Sequence, residues 1–233
     1  TDDLWERHRF TELNKNVQKV SPNLHLRNMR DSNEAVLTLY GLSNNQRDFV
    51  LYGKVSWSQN MRPGELITAI QITKVGLRLH GHLGSLSLGR VEIIAAGLAE
   101  MVKKAGLKDF RKNITTFFEI VDECWGIKTI ELRTASPQIR LTFLMQLARM
   151  FSTHVDFWDT SDHLFFVPAD QRRKLAKFPL HDPHVANLTG TGGAAANILY
   201  DMLITHMNSG RRTGHLRSRY ADASKMNPLW RRT

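Results

Sequence analysis

Gly190-Thr191-Gly192-Gly193, just before an alanine-rich helical stretch, has the composition of a turn that cradles a phosphate, because glycine lets a backbone approach an anion closely. Its spacing matches neither G-x-G-x-x-G nor G-x-x-x-x-G-K-[ST], and Pro179 to Leu188 before it does not read as a strand. The glycines are therefore read as flexibility at a helix N-cap. His181, Asp182 and His184, with His163, carry metal-ligating atoms, but no cysteine pair or H-E-x-x-H spacing accompanies them, and Pro183 points to a loop. Cys124 stands alone among Phe117, Phe118, Ile120, Val121 and Trp125, where a thiol behaves as a small hydrophobe. With no nucleophile elbow and no paired carboxylates, the expectation is a protein that is not an enzyme and needs no cofactor or metal.

The remaining chemistry is positive charge. The chain has 32 Lys+Arg against 22 Asp+Glu over 233 residues, a net charge of +10. Such an excess favours a polyanion, above all nucleic acid, through neutralised phosphates and released counterions. The basic residues interrupt apolar patterns along the whole chain: Lys74 and Arg78, Arg90, Arg111 and Lys112, Arg140 and Arg149, and the cluster Arg172, Arg173, Lys174, Lys177. Arg90 falls at a helix start, unfavourable for that helix's own dipole but well placed for a phosphate bound there. Trp57, Phe110, Tyr200 and Tyr220 lie among these charges and can stack on unpaired bases. No zinc finger, RRM, KH or basic-zipper signature is present, so a sequence-independent groove for a single strand is expected rather than a base-reading module. A net of +6 falls between Thr205 and Thr233, with Arg211 and Arg212 near the start of that stretch. It also carries Tyr220, Leu229 and Trp230, large apolar side chains that are costly at a terminus unless they dock, as in an arm that binds RNA or a neighbouring copy.

These residues must be held by a folded core, which a 42% hydrophobic chain of this length can build. Leu4, Trp5, Phe10, Leu13, Val17 and Val20 recur at helical spacing after Asp2 and Asp3, giving a short amphipathic helix that packs on its own core or on another subunit. Ala35–Tyr40 and Asp48–Trp57 read as strands from their β-branched and aromatic content, and so do Leu66–Thr73 and Val75–His80, although Leu66–Ile70 also fits a helix. Beyond Ser85 the periods are helical. One helix runs from a Ser85 or Ser87 cap to Gly106, a second from an Asn113 cap to Trp125, and a third from Ser136-Pro137 to Ser152. Ile127–Leu132 reads as extended, Pro168–Pro179 as a short basic helix and Thr191–Asn208 as the last helix. The expected fold is mainly α with a few short N-terminal strands. It divides into an arm over 1–21, a lobe over 22–126, a helical lobe over 127–209 and a basic arm over 210–233. No span of about 18 apolar residues occurs, and charged residues fill Thr1–Phe10 where a signal peptide would be apolar, so a soluble intracellular protein without membrane insertion is expected.

Ser85-Leu86-Ser87-Leu88-Gly89-Arg90-Val91, running into Ala95, Ala96, Leu98 and Ala99, resembles the L-T-L-x-R-[LV] helix start of the nucleoproteins of segmented negative-strand RNA viruses of the bunyavirus group, in particular the orthobunyavirus-like branch. The run Ile120-Val121-Asp122-Glu123-Cys124-Trp125-Gly126 before an apolar helix fits the same order, while His82-Leu83-Gly84 stands where that branch carries Phe-Pro-Gly-Asn-Arg. The resemblance implies a two-lobed helical nucleoprotein, found in the virion nucleocapsid and host cytoplasm, that holds single-stranded viral RNA in a positive groove. It implies homo-oligomers built through exchanged arms, here Leu4, Trp5, Phe10, Leu13, Tyr220, Leu229 and Trp230, and a viral polymerase as a further partner. Only Arg90 is carried over through the motif itself. The coat protein of a flexuous positive-strand RNA virus is an alternative reading of similar physics. A nucleic-acid-processing enzyme using Gly190–Gly193 or His181/His184, and a ribosome-associated RNA-binding protein, are the readings of other classes.

Overall fold

The structure is a computed structural model that describes residues 20–82, 90–159, 164–190, 192–212 and 215–216. Leu4, Trp5, Phe10, Leu13, Tyr220, Leu229, Trp230, His163, Thr191 and the Ser85–Gly89 part of the helix-start motif lie outside them.

The protein is mainly α. Among the described residues the helices are α1 (Pro22–Met29), α2 (Glu34–Asn45), α3 (Ala69–Leu79), α4 (Val91–Ala105), α5 (Leu107–Trp125), α6 (Leu141–Thr153), α7 (Ala169–Leu175), α8 (Pro183–Gly190) and α9 (Ala194–Asn208). Strands β1 (Val55–Ser56) and β2 (Ile67–Thr68) pair in parallel, Val55 opposite Ile67. The ends follow local chemistry. Ser21 caps α1 by accepting the Leu24 N–H (3.3 Å) with Pro22 at its first position, and Asn33 caps α2 by accepting from Ala35 and Val36. Gly106 at φ +82° turns α4 directly into α5, a backbone angle only glycine adopts without strain.

Three expected strands are helices instead. Over Ala35–Tyr40 the buried residues are Ala35, Val36 and Leu39, continuing to Leu42, while Leu37 is 48% exposed. That is a helical stripe, and the Asn33 cap supplies the nucleus that β-branched content obscured. Leu66–Thr73 and Val75–His80 contribute the single helix α3 after only two strand residues, Ile67 and Thr68. Because α3 packs on α1, α2, α4 and α6, only Ile70, Gln71 and Arg78 of it are not buried, and its β-branched Ile and Val content reads as strand. Asp48–Trp57 is mostly turns, with Val55–Ser56 its only strand.

Further boundaries shift for identifiable reasons. Asn113 caps nothing. It sits within α5, fully buried, accepting the Phe165 N–H (2.8 Å) and bonding His80 Nε2 (3.3 Å). Ile127–Leu132 is not extended, since the Asp122 carboxylate accepts the Ile127 and Lys128 N–H groups (2.7 and 2.9 Å) and holds the chain in a turn after Gly126. Those two bonds and the Lys128 charge hold the Asp122 pKa below the usual carboxylate range against the opposing effect of burial. The third expected helix opens with a 3₁₀ turn at Pro137–Ile139 before α6, and Pro183 starts α8 rather than a loop.

One continuous hydrophobic core runs from Leu26 to Leu216 and crosses from the first half of the chain to the second where α3 packs on α6. Its densest part is aromatic. Phe151 lies 4.9 Å from both Phe157 and Phe165 and 6.2 Å from Phe117, ring centre to ring centre, and all four are buried. Phe151→Ala is expected to lower unfolding stability by about 4 kcal/mol in a denaturant titration. A loss under about 1 kcal/mol would contradict this packing.

Candidate nucleic-acid interface

The cations anticipated from the sequence separate into groups, and α3 with α6 organises the first. These helices run side by side in the same direction. Gln71 near the start of α3 shares a cavity with Thr142 near the start of α6, and His80 just past α3 meets Trp158 beyond α6, ring centres 6.1 Å apart. The shared cavity holds about 530 Å³ and is lined by Gln71, Arg133, Arg140, Thr142, Thr189 and Gly190 among others. Beside it α6 begins with Arg140 in the N-cap position, without a side-chain cap.

Arg140 and Arg133 differ in freedom. Arg140 Nη1 donates to the Ala186 carbonyl (3.2 Å) and Nη2 to the Thr134 carbonyl (2.9 Å), tying the 133–135 turn to α8. Gly190 belongs to this clasp, because a Cβ there would stand 2.9 Å from Arg140 Nη1. Arg133, exposed at the rim, makes no side-chain hydrogen bond or ion pair among the described residues. Arg133 is not among the cations expected from the sequence; a basic side chain next to an expected extended segment is the signal for it.

From this cavity a polar stripe follows α3. Gln71, Lys74 and Arg78 are three and four residues apart, hence on one face. Lys74 is only 4% exposed, and burial alone pushes its ammonium pKa below the ordinary lysine value. Arg78 is half-buried beside His82, whose pKa is lowered first by burial and then by the Arg78 charge. On α6, Arg149 is held by Asn197 Oδ1 (3.2 Å) and lies over the Tyr200 ring at 4.1 Å. Arg90 is exposed at the start of α4.

A second basic group surrounds α7. Arg173, Lys174 and Lys177 line an open depression of about 490 Å³. Lys174 Nζ donates to the Ser209 carbonyl, and its pKa is lowered first by burial and then by the nearby Arg211 charge. Arg212 is exposed just beyond. Arg172 is a structural member of this group, donating to the Val167 carbonyl (2.7 Å) and pairing with Glu123 (3.0 Å).

Arg111 and Lys112 form a third group on α5. Arg111 bonds Gln46 Oε1 at 2.5 Å and, with Lys108, borders an apolar groove of about 770 Å³ that includes Leu37, Leu42 and Leu107. Leu37 and Leu107 are 48% and 42% exposed there.

The anticipated stacking aromatics are core residues. Trp57, Phe110 and Tyr200 are buried, and Trp57 Nε1 donates to Ser43 Oγ (2.9 Å). Their burial withdraws them from any base; Tyr220 lies outside the described residues. Cys124 is half-buried with its thiol pKa pushed up to about 12, mainly by burial, so it is no nucleophile. Among the described residues no three His, Cys, Asp or Glu side chains come together as metal ligands. Gly193 stands at φ +62° as the N-cap of α9. Among the described residues no helix is long and apolar enough to cross a membrane.

Comparison with family models, curated proteins and solved structures found no match. The class defined by fold and surface is thus a mainly helical protein with a basic α3/α6 face and a separate basic patch on α7.

Proposed function

We propose that the protein is a viral nucleoprotein that coats single-stranded genomic RNA without sequence preference and assembles into a ribonucleoprotein. The observation that carries this reading is the cavity where the exposed Arg133 guanidinium and Arg140 meet the start of α6, continued along α3 by Lys74 and Arg78. Guanidinium groups recognise phosphate without regard to base. The patch of Arg173, Lys174 and Lys177 supplies further phosphate contacts for the same strand. The virion nucleocapsid and host cytoplasm are its places of action, and a viral polymerase its further partner.

Assembly uses the terminal segments. Leu4, Trp5, Phe10 and Leu13 of one copy enter the apolar groove between α2 and α5 of the next. Asp2, Asp3 and Glu6 of that segment complement Lys108 and Arg111 at the groove's edge. Within the basic C-terminal arm over 210–233, Leu216 is buried and exchanges two hydrogen bonds with the Asn208 amide (2.6 and 2.7 Å).

Protein purified from an expressing cell is expected to carry nuclease-protected RNA of uniform fragment length. Removing residues 217–233 should then abolish multimers and leave a folded monomer, read by light scattering and circular dichroism. An intact protein that stays a monodisperse monomer with and without RNA contradicts the reading.

A further inference from the structure

The cavity between α3 and α6 is larger and less charged than a phosphate needs. It holds about 530 Å³, and among the described residues that line it only Arg133 and Arg140 are charged. The rest of its wall is neutral or apolar, including Gln71, Ile139, Leu141 and Thr142, the mixture with which a pocket encloses a whole organic group. A phosphate held by the two arginines leaves this neutral wall for what is joined to it.

Gln71 meets that space with a defined polarity. It is the third residue of α3, and its Oε1 accepts the backbone N–H of Thr68 (2.9 Å) as one half of a capping box. A backbone N–H can only donate, so the bonded atom is the oxygen, and the amide cannot flip without losing the cap. The Nε2 hydrogens make no bond among the described residues. The cavity is thus offered a fixed pair of donors on a group without charge. We propose that the cavity seats a whole nucleotide of the RNA and that Gln71 donates from Nε2 to a neutral acceptor on it, the ribose 2′-oxygen or the pyrimidine O2/purine N3 edge that all bases share. Either acceptor lies beyond the phosphate of the same nucleotide, and neither tells one sequence from another. This rests on the RNA-coating reading and adds a contact of a different kind from its phosphate sites.

The test uses full-length protein stripped of RNA at high salt, with Gln71→Leu and Gln71→Glu, two unrelated single-stranded RNA oligomers, DNA of the same sequences, abasic RNA, and a salt series. Gln71→Leu should weaken both RNAs about fivefold, the share of one neutral hydrogen bond. The slope of log K against log salt should stay at the wild-type value, because an amide contact releases no counterion. Tm should fall by about 3 °C through the lost cap. Gln71→Glu keeps an oxygen for the Thr68 N–H, so it should melt like wild type while weakening both RNAs at least as much.

DNA bound about fivefold more weakly than RNA by wild type, and no more weakly than RNA by Gln71→Leu, assigns the acceptor to the ribose. RNA and DNA bound alike by wild type, with abasic RNA losing the same factor, assigns it to the base edge. Loss with neither probe overturns the seated nucleotide. Unchanged affinity in Gln71→Leu or Gln71→Glu overturns the assignment while leaving RNA binding itself intact. So does a weakening in Gln71→Leu that comes with a lower salt slope, since Gln71 would then act by holding a phosphate contact in place. If wild type binds neither RNA at any salt, the RNA-coating reading falls and this assignment with it.

Discussion

Arg133→Glu lowers the affinity for unrelated single-stranded RNAs by about 30-fold at moderate salt, equally for each sequence, and flattens the salt dependence by more than one contact's share. The size follows from replacing an exposed cation by an anion beside Arg140 and the positive end of the α6 dipole. Because Arg133 is exposed and makes no side-chain bond among the described residues, the variant should melt like wild type. Arg172→Glu is the contrasting case. It breaks the bond to the Val167 carbonyl and sets a second carboxylate against Glu123 in place of an ion pair, so its effect falls on the α5–α7 packing before RNA. Fluorescence anisotropy with two or more RNAs across a salt series decides. A strong preference for one sequence, or an Arg133→Glu protein that binds as wild type does, counts against the cavity as a phosphate site.

Acid destabilises the protein by about 3 kcal/mol between pH 6.5 and pH 4 through His80 alone. This ring is fully buried and its pKa is lowered to about 4, chiefly by burial. Its Nδ1–H donates to the Gly76 carbonyl (2.8 Å), which fixes the tautomer and leaves Nε2 to accept from Asn113 (3.3 Å). Above pH 6.5 folded and unfolded chains both hold a neutral ring, and the full contribution is present. As pH falls from 6.5 toward 4 only the unfolded chain takes up the proton, so stability drops; below 4 both states are protonated and the effect levels off. A depression of this size corresponds to about 3 kcal/mol at about 1.36 kcal/mol per pH unit. Denaturant titrations of wild type and His80→Gln at several pH values read it: the stability gap between them should narrow as pH falls. A gap independent of pH would mean that the folded ring is not kept neutral.

Helices α4 and α6 were legible because each is long and apolar on one side only, whereas α8 was read as a loop because of Pro183. α4 and α6 repeat their apolar residues at helical spacing, α4 ends at Gly106 and α6 follows Ser136-Pro137. α2 and α3 were not, for opposite reasons. The β-branched window at Ala35–Tyr40 is too short for its period to show, and α3, packed on four helices, is so largely apolar and β-branched that its narrow Gln71, Lys74, Arg78 stripe is outweighed. The candidate site was legible as chemistry and not as geometry. Lys74, Arg78, Arg140 and Arg149 could be picked out as cations in apolar surroundings. Their grouping on α3 and α6, the addition of Arg133, and the tying of Arg172 into an ion pair depend on contacts between residues tens of positions apart.

What this chain's sequence determines by itself is therefore its charge, its lack of catalytic spacing and the helical character of its periodic segments, since composition and i, i+3, i+4 patterns are local properties. Which aromatics are core and which cations stay exposed only the tertiary structure decides. Trp57 and Arg133 show why. Burial and pairing are set by what the rest of the chain brings alongside a residue, and that packing is a property of the whole fold.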